Sequence, residues 1–209
     1  MFAFLTKRSA HLFMLIMCSF IIASVVSACG GESASSSPTP TSQPTAAATA
    51  TSAPIGQTYT GDGYTISYPS DLKPNTATPG QVIFANASNT VAFLIKVVDH
   101  PGAGQTATSI VGAVVQGFQS RPNFQLATDV LSSTMVGGDT WNQAGATYDA
   151  PNASGQATNV KIVVLADGHP ANSPMLKGFL IVYSATTDIF DQTNTNTFQP
   201  MLQSFKFTS

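Results

Sequence analysis

The sequence contains only two cysteines, Cys18 and Cys29. Cys18 lies inside an N-terminal apolar run that we expect to be removed on export, so Cys29 is the only cysteine of the mature chain. A single cysteine excludes an intrachain disulfide, even in a compartment where disulfides form. The folded domain must therefore be held together by its core alone.

Charge is also scarce, since charged residues make up 9% of the chain, where about 25% is ordinary for a soluble protein. Without Lys7 and Arg8 of the N-terminal segment, six basic residues face ten acidic ones. The absence of any Lys or Arg cluster argues against nucleic acid as a partner and against electrostatic docking to a membrane. The surface must be built from Thr, Ser, Asn and Gln, a neutral polar coat that suits exposure outside the cytoplasm.

Motifs of catalysis and of cofactor binding are missing as well. The chain has no Gly-x-Ser-x-Gly elbow and no free cysteine after export, so the usual activated nucleophiles are absent. Its acids are dispersed at turns rather than paired for glycoside hydrolysis. No Gly-rich phosphate loop and no acidic calcium loop occurs. The sequence thus gives no catalytic residue and no cofactor, and it keeps an extracytoplasmic hydrolase of unknown substrate only as an alternative.

Histidine is rare, and two of the three residues fall in the exported part, at His100 and His169. Each lies close to an acid, Asp99 in one case and Asp167 in the other, and each precedes a proline. If the two loops meet at one end of a sheet, two imidazoles and two carboxylates could form a weak metal site. The alternative, which we favour because the spacing matches no recognised ligand pattern, is that both histidines are polar residues in turns.

The first feature that the sequence does contain is an export signal at the N-terminus. Lys7 and Arg8 precede an apolar stretch from Leu12 to Val26, the order typical of a secretory signal. The stretch is short for a bilayer span, which takes about 20 apolar residues. We therefore predict that residues 1–28 are a signal peptide.

The end of this signal, Val26-Ser27-Ala28-Cys29, resembles the bacterial lipobox. Cleavage before Cys29 would free a residue that carries a diacylglycerol thioether and a further acyl chain such as palmitate. Two or three acyl chains make a lasting membrane anchor, whereas one chain holds only marginally. Cys29 is thus the predicted lipid attachment site, at the outer face of the cell membrane. An uncleaved signal anchor or an ordinary secreted protein remains the alternative.

Residues 29–56 have the composition of a tether. From Gly30 to Pro54 the chain is almost entirely Gly, Ser, Thr, Ala, Pro and Gln, and Glu32 is its only charge. Such a segment cannot bury enough apolar surface to offset its chain entropy, which predicts a disordered linker stiffened by proline. A glycosylated, mucin-like stalk is the alternative.

Residues 57–209 are long enough for one domain with a real core. A hairpin is predicted around Gly61-Asp62-Gly63, and the turns Gly137-Gly138-Asp139 and Asp167-Gly168-His169-Pro170 separate later strands. The predicted strands are Tyr59–Thr60, Tyr64–Tyr68, Gln81–Asn86, Thr90–Asp99, Phe124–Val130, Ser133–Val136, Thr140–Ala150, Thr158–Ala166 and Leu176–Ala185. The pattern therefore predicts an antiparallel sheet of about six to eight strands.

Two segments change to helical spacing. Apolar residues between Thr106 and Ser120 recur at the period of an amphipathic helix that can lie on one face of the sheet. Thr187 to Phe205 has similar spacing, but Pro200 and the poor helix formers before it predict a turn first and a separate short helix afterwards.

The same periodicities predict the core. It should contain Ile66, Phe93, Ile95, Val97, Val114, Phe118, Trp141, Ile162, Val164, Leu180, Val182, Leu202 and Phe205. The aromatic residues Trp141, Tyr59, Tyr64, Tyr68, Tyr148 and Tyr183 are alternatively a floor for a sugar or peptide groove. We favour a core role for Trp141, while Tyr148 is open between the two.

Three segments resemble PsbP-like domains. They are Gly63-Tyr64-Thr65-Ile66-Ser67-Tyr68-Pro69-Ser70-Asp71-Leu72, Gly138-Asp139-Thr140-Trp141 and Met201-Leu202-Gln203-Ser204-Phe205-Lys206-Phe207. The resemblance covers most of Tyr59 to Phe207 and implies an α+β fold, an α/β/α sandwich around an antiparallel sheet. It also implies an accessory or binding role, because most members of that family are non-catalytic, although a fold alone does not set a function.

From these features we expect a membrane-anchored extracytoplasmic lipoprotein whose domain is a non-catalytic binding or assembly module. Its partner would be a protein or another envelope component that the sequence does not identify. The sequence leaves the ligand-binding residues unassigned. The hydrolase and the weak metal-binding protein are the alternatives.

Overall fold

The computed structural model describes residues 55–102, 104–152, 154–171 and 176–208. The predictions for the signal peptide, for Cys29 and for most of the tether lie outside these residues. The first described strand begins at Ile55, two residues ahead of the predicted start of the domain at residue 57.

Strands supply most of the regular structure in the described ranges. They are β1 (Ile55–Gly61), β2 (Tyr64–Pro69), β3 (Lys73–Asn75), β4 (Gln81–Ala85), β5 (Val91–Asp99), β6 (Gln125–Leu126), β7 (Ser133–Val136), β8 (Asp139–Pro151), β9 (Ala157–His169), β10 (Lys177–Thr186) and β11 (Lys206–Phe207). The helices are α1 (Ala107–Gly117), α2 (Phe190–Thr193), a π-helical turn (Asn194–Phe198) and α3 (Gln199–Ser204).

Eight of these strands form one antiparallel sheet in the order β3-β4-β5-β10-β9-β8-β6, with β7 also paired to β8. The long strands β8, β9 and β10 follow one another in sequence and in space, as hairpin-connected strands usually do. The predicted fold class, an antiparallel sheet covered by helices, is confirmed. The apolar strand β5 lies inside the sheet between β4 and β10, as its composition indicates.

Helix α1 covers one face of the main sheet. Its N-cap is Thr106, whose side chain accepts from the backbone of Ser109, while the Ser109 side chain accepts from the Thr106 backbone. This reciprocal cap ends the preceding loop and starts the helix. The apolar side of α1 packs on the even-numbered positions of β8 and β9. The predicted helix over Thr106 to Ser120 is thus confirmed with slightly shorter bounds.

The other face of the main sheet is covered by a second sheet and by helices near the C-terminus. A small second sheet in the order β1-β2-β11 lies there together with the C-terminal helical segment. Their apolar residues and those of the main sheet form one large core cluster. The second sheet is new relative to the single sheet that the sequence predicts.

The predicted strand Phe124–Val130 is wrong over most of its length, because only Gln125–Leu126 pairs with β8. Between Ala127 and Ser132 the chain bulges away from β8, and pairing with the same strand resumes in β7. Val130 in this bulge lies over Gly145, which has no side chain to keep it away.

The predicted turn Asp167-Gly168-His169-Pro170 is also wrong. Strand β9 continues through His169, which pairs with Lys177 of β10. Gly168 pairs with Gly178, so two residues without side chains meet across the strands. The ladder of hydrogen bonds thus overrides the turn tendency of an Asp-Gly pair.

The C-terminal segment forms a continuous helical run rather than a turn and a separate helix. Gln199 donates its N–H to the carbonyl of Asn194, five residues earlier. Pro200 follows in the first turn of α3, as predicted. Pro200 has no N–H to donate, and the wider π-helical turn before it lets the helical run continue without that hydrogen bond.

Ten of the thirteen predicted core residues are buried. The other three, Val97, Val114 and Val182, are partly buried and pack against the two core clusters. Trp141 is fully buried and its Nε1 donates to the carbonyl of Val136 at 3.1 Å. The core role of Trp141 is therefore confirmed.

Candidate functional site

A row of ionisable side chains crosses one end of the main sheet. Lys177 of β10 pairs with Asp99 of β5 on one side and with His169 of β9 on the other. Asp139 is the first residue of β8, and the antiparallel pairing of β8 with β9 brings it to the end of β9 where His169 lies. The row therefore draws one residue from each of four neighbouring strands.

His169 and Asp139 form the closest contact in this row. His169 Nδ1 lies 2.6 Å from Asp139 Oδ2, and about a third of each side chain is exposed. An ionised carboxylate only accepts, so Nδ1 donates the hydrogen. The imidazole ring also lies against the ring of Phe207 in β11, with centroids 3.7 Å apart and planes 3° from parallel. His169 is thus fixed between a carboxylate and an aromatic ring.

Asp167 lies on the same strand and the same face as His169, since side chains of a strand alternate. Its Oδ2 is buried and has no hydrogen-bond partner in the described part of the chain. Burial raises the pKa of Asp167, and the nearby carboxylate of Asp139 adds to the rise. The N–H of Gly168 and the charge of His169 lower that pKa, but they do not cancel the rise. Asp167 therefore takes up a proton more readily than an ordinary aspartate.

Lys177 joins the row to the second sheet. Its Nζ donates to Asp62, in the turn between β1 and β2, and lies 3.4 Å from Asp99. These carboxylates raise the pKa of Lys177, with the hydrogen bond to Asp62 the largest cause. Gly63 follows in the turn at φ +79°, a conformation that favours glycine. The turn thus brings Asp62 onto the side chain of Lys177.

The structure does not assemble the four candidate metal ligands into a metal centre. Asp99 faces Lys177, and His169 faces Asp139. His100 has a φ of +48° and its backbone N–H donates to the carbonyl of Leu176. Across the described residues, no group of three His, Cys, Asp or Glu side chains is arranged to hold a metal ion. Asp167 and His169 are brought together, but with Asp139 rather than with Asp99 and His100.

The aromatic residues proposed as a groove floor are largely in the core. Exposure is 8% or less for Trp141, Tyr64, Tyr68, Tyr148 and Tyr183. Burial raises the pKa of Tyr183 to about 12. Tyr148 stacks on Phe118 of the segment after α1, with centroids 5.0 Å apart. Tyr148 therefore has the core role, and these rings do not offer a surface to a sugar.

A second feature is an apolar edge, formed by residues 125–136 with β6 and β7 at the β8 side of the main sheet. Leu126, Leu131 and Met135 are exposed by 62%, 76% and 64% of their surface. The other large apolar residue with comparable exposure in the described chain is Val98, at 41%. Apolar exposure is thus concentrated at one edge.

Sequence reasoning missed Asp139 as the partner of His169. The segment Gly137-Gly138-Asp139 was assigned to a turn, although Asp139 begins β8. Recognising β8 and β9 as one hairpin would have found the pair, because the start of the first strand of a hairpin lies beside the end of the second. The apolar edge was missed because Phe124–Val130 was predicted to be a full strand.

No family model and no curated protein sequence matches this chain. Among solved structures, the chain is similar to LpqN, described as involved in cell envelope biogenesis of Mycobacterium tuberculosis. The TM-score is 0.51 at 14% identity, covering 70% of this chain and 83% of that one. The Ran-binding protein Mog1p of Saccharomyces cerevisiae gives a TM-score of 0.43 at 11% identity, covering 69% of this chain and 90% of that one. At such identities the likeness to LpqN shows a shared fold.

No helix in the described ranges is both long enough and apolar enough to span a bilayer.

Proposed function

We propose that this protein is an extracytoplasmic lipoprotein, held to the membrane through Cys29, whose folded domain is a non-catalytic binding or assembly module of the cell envelope. The sequence Val26-Ser27-Ala28-Cys29 after a charged and apolar N-terminus supports the anchor. The shared fold with LpqN, a protein involved in cell envelope biogenesis, is compatible with the envelope role.

The apolar edge is the observation that carries the binding role. Leu126, Leu131 and Met135 present apolar surface that a domain with a neutral polar coat would otherwise bury. Along β7 only one side of the backbone is paired, to β8, within the described part of the chain. An open strand edge beside apolar side chains suits a partner that adds a strand.

The charge of the apolar edge indicates the kind of partner. Between Gln125 and Val136 the only charged residue is Asp129, and Lys161 already holds it at 2.6 Å. An uncharged edge complements an uncharged extended segment, since a charged partner would lose hydration without gaining an opposite charge. The proposed partner is therefore an envelope protein that offers a neutral, apolar strand.

Anchoring is tested by Cys29→Ala, with Cys18→Ala as the matched control. Wild type and the Cys18 variant should fractionate with membranes and incorporate labelled palmitate. The Cys29 variant should incorporate no label and leave the membrane fraction. Membrane retention of an unlabelled Cys29 variant would show that the N-terminal segment anchors the chain without lipid.

Binding is tested by photo-crosslinking from the position of Met135 in the full chain in intact cells, with the position of Asn75 on the opposite sheet edge as control. One envelope protein should crosslink reproducibly from the first position and not from the second. Leu131→Lys should abolish this product, whereas Val98→Lys, an apolar-to-charged change elsewhere on the surface, should not. Crosslinks only to a second copy of the chain, or equal products from both edges, would contradict the proposed partner.

A further inference from the structure

The C-terminal strand β11 is attached by few contacts of its own. Its two residues, Lys206 and Phe207, pair with Thr65 and Tyr64 of β2. Thr208 adds one hydrogen bond from its N–H to the carbonyl of Gly63, at 3.0 Å. An edge strand this short needs side-chain packing to stay in place.

That packing comes from the ring of Phe207, which lies on the aromatic part of the core. Its centroid is 5.1 Å from that of Phe179, 5.2 Å from that of Phe205 and 6.2 Å from that of Trp141. The imidazole of His169 contacts the same ring at 3.7 Å. Phe207 is therefore held between the core rings and an ionisable ring.

The position of His169 in turn depends on carboxyl groups. Asp139 Oδ2 accepts from Nδ1 at 2.6 Å. Asp167 lies on the same face of β9 as His169, and the negative charge of the Asp139 carboxylate helps to raise the pKa of Asp167. When Asp167 ionises, two negative charges are adjacent, and the buried Oδ2 of Asp167 becomes a charged oxygen that no described residue pairs with.

We propose that Asp139, Asp167 and His169 form a proton-operated clasp, which holds β11 over Trp141 in mildly acidic surroundings and loosens it as the pH rises. With Asp167 protonated, Asp139 has a neutral neighbour, stays in contact with His169 Nδ1 and keeps the imidazole flat on Phe207. With Asp167 ionised, Asp139 is repelled from its place and His169 loses its fixed partner. The imidazole of His169 then no longer covers the outer side of the Phe207 ring in β11.

Other charged groups near the clasp do not reverse its direction. Lys177 of β10 lies next to His169 in the row, but its charge is engaged by Asp62 and Asp99, and these carboxylates raise its pKa. On β2, burial raises the pKa of Tyr64 above its usual range, so this phenol stays neutral. On β11 itself, the side chain of Lys206 is exposed, where water screens its charge.

The sign follows from the raised pKa of Asp167. A carboxyl whose folded pKa exceeds its unfolded value contributes its full share of stability below the unfolded pKa, near 4 for Asp. That share is lost as the pH rises through the folded pKa. The clasp is thus closed on the acidic side and looser near neutral and alkaline pH.

Hydrogen exchange of the full chain in detergent, followed by mass spectrometry, tests the clasp. Exchange of the segment that contains Phe207 and Thr208 is compared at about pH 5 and about pH 8, after correction for the intrinsic pH dependence of exchange. We expect corrected exchange to be faster at the higher pH, where the stabilisation from protonated Asp167 is lost. Equal corrected exchange at the two pH values would overturn the proposal.

The variant Asp167→Asn removes the titrating group and keeps the shape of the side chain. In the C-terminal segment it should exchange more slowly than the wild type at the higher pH and show a smaller pH dependence, whereas Asp71→Asn, an exposed acid outside the clasp, should keep the dependence of the wild type. If Asp167→Asn shows the wild-type dependence, the proposal is wrong.

A second variant decides the matter if Asp167→Asn does not fold. Asp139→Ala removes the oxygen that positions His169, so the C-terminal segment should exchange fast at both pH values. Peptides from β9 and β10 report on the main sheet in the same experiment and should stay protected. Retention of the wild-type pH dependence by Asp139→Ala would overturn the clasp.

Discussion

Gly145 of β8 lies directly beneath Val130, and a Cβ built on Gly145 would come within 2.6 Å of Val130 Cγ2. The same Cβ would lie 3.1 Å from the Cβ of Ala127 and 3.2 Å from the carbonyl oxygen of Ile162. The missing side chain at this position leaves room for the bulge between β6 and β7. Leu131 and Met135, which follow Val130, are exposed at the apolar edge.

We therefore expect Gly145→Ala to destabilise the domain by about 1 to 3 kcal/mol, the usual cost of overpacking. Gly112→Ala in α1 is the control, because a Cβ there meets nothing within 4 Å. This control should stabilise the domain by about 0.5 to 1 kcal/mol through helix propensity. Urea denaturation followed by the fluorescence of the only tryptophan, Trp141, measures both. An unchanged midpoint for Gly145→Ala would show that Val130 is free to move away.

Removal of the N-terminal cap of α1 should lower the free energy of unfolding. Thr106→Ala deletes the hydroxyl that accepts from the N–H of Ser109 at 3.1 Å. The expected loss is about 0.5 to 2 kcal/mol in the free energy of unfolding, measured by the same denaturation. Thr106→Asn keeps an accepting oxygen and should recover most of the loss. Equal losses for the two variants would indicate that the cap contributes nothing.

The contact between Phe207 and His169 predicts that β11 contributes to global stability. Phe207→Ala removes a partly buried ring that touches three core rings, so we expect a loss of about 2 to 4 kcal/mol, somewhat below that of a fully buried Phe. Lys206→Ala, in the same strand but exposed, should change stability by less than about 0.5 kcal/mol. Similar small effects of both variants in thermal denaturation would mean that β11 unfolds separately from the core.

The carboxyl of Asp149 should titrate below the ordinary range. Asn159 and Asn123 donate to its two oxygens at 2.9 Å and 2.6 Å, and these hydrogen bonds lower the pKa of Asp149. A lowered folded pKa contributes stability above the unfolded pKa, and this contribution is lost as the pH falls through the folded value. In Asn159→Ala the pKa should rise towards the ordinary value near 3.9.

Carboxyl-detected NMR titration measures this shift directly. The control group is Asp129, whose pKa is lowered by the separate hydrogen bond from Lys161 and should not respond to Asn159→Ala. A titration of Asp149 that is the same in wild type and variant would show that Asn159 does not stabilise the ionised form.

Helix α1 and the long strands could be predicted from sequence because each carries its own periodicity. Residues such as Val111 and Val115 recur at helical spacing, and the even and odd positions of β9 separate onto two buried faces. The short strands could not be predicted in this way. Lys73–Asn75 and Lys206–Phe207 have too few residues for a period, and only pairing with β4 and β2 makes them strands.

Part of the candidate site could be predicted from the sequence. Asp167 and His169 are close in sequence, so their proximity follows from the chain itself. Asp139 is 30 residues away from His169 and reaches it only through the register of β8 on β9. Asp99 and His100 lie at the same end of the sheet. Asp99, however, forms an ion pair with Lys177 of β10, the strand between β5 and β9. Spacing alone cannot report such competition.

The sequence by itself determined helix α1, the long strands of the main sheet and the placement of Trp141 in the core, because each is a property of neighbouring residues. The tertiary structure alone decided that β11 lies under His169, that a carboxyl oxygen of Asp167 is buried without a hydrogen-bond partner among the described residues, and that apolar side chains gather at the edge beside Gly145. These features depend on strand register and on which side chain is missing from a facing strand. Register is set by the sum of many contacts across the sheet, so no local stretch of sequence encodes it.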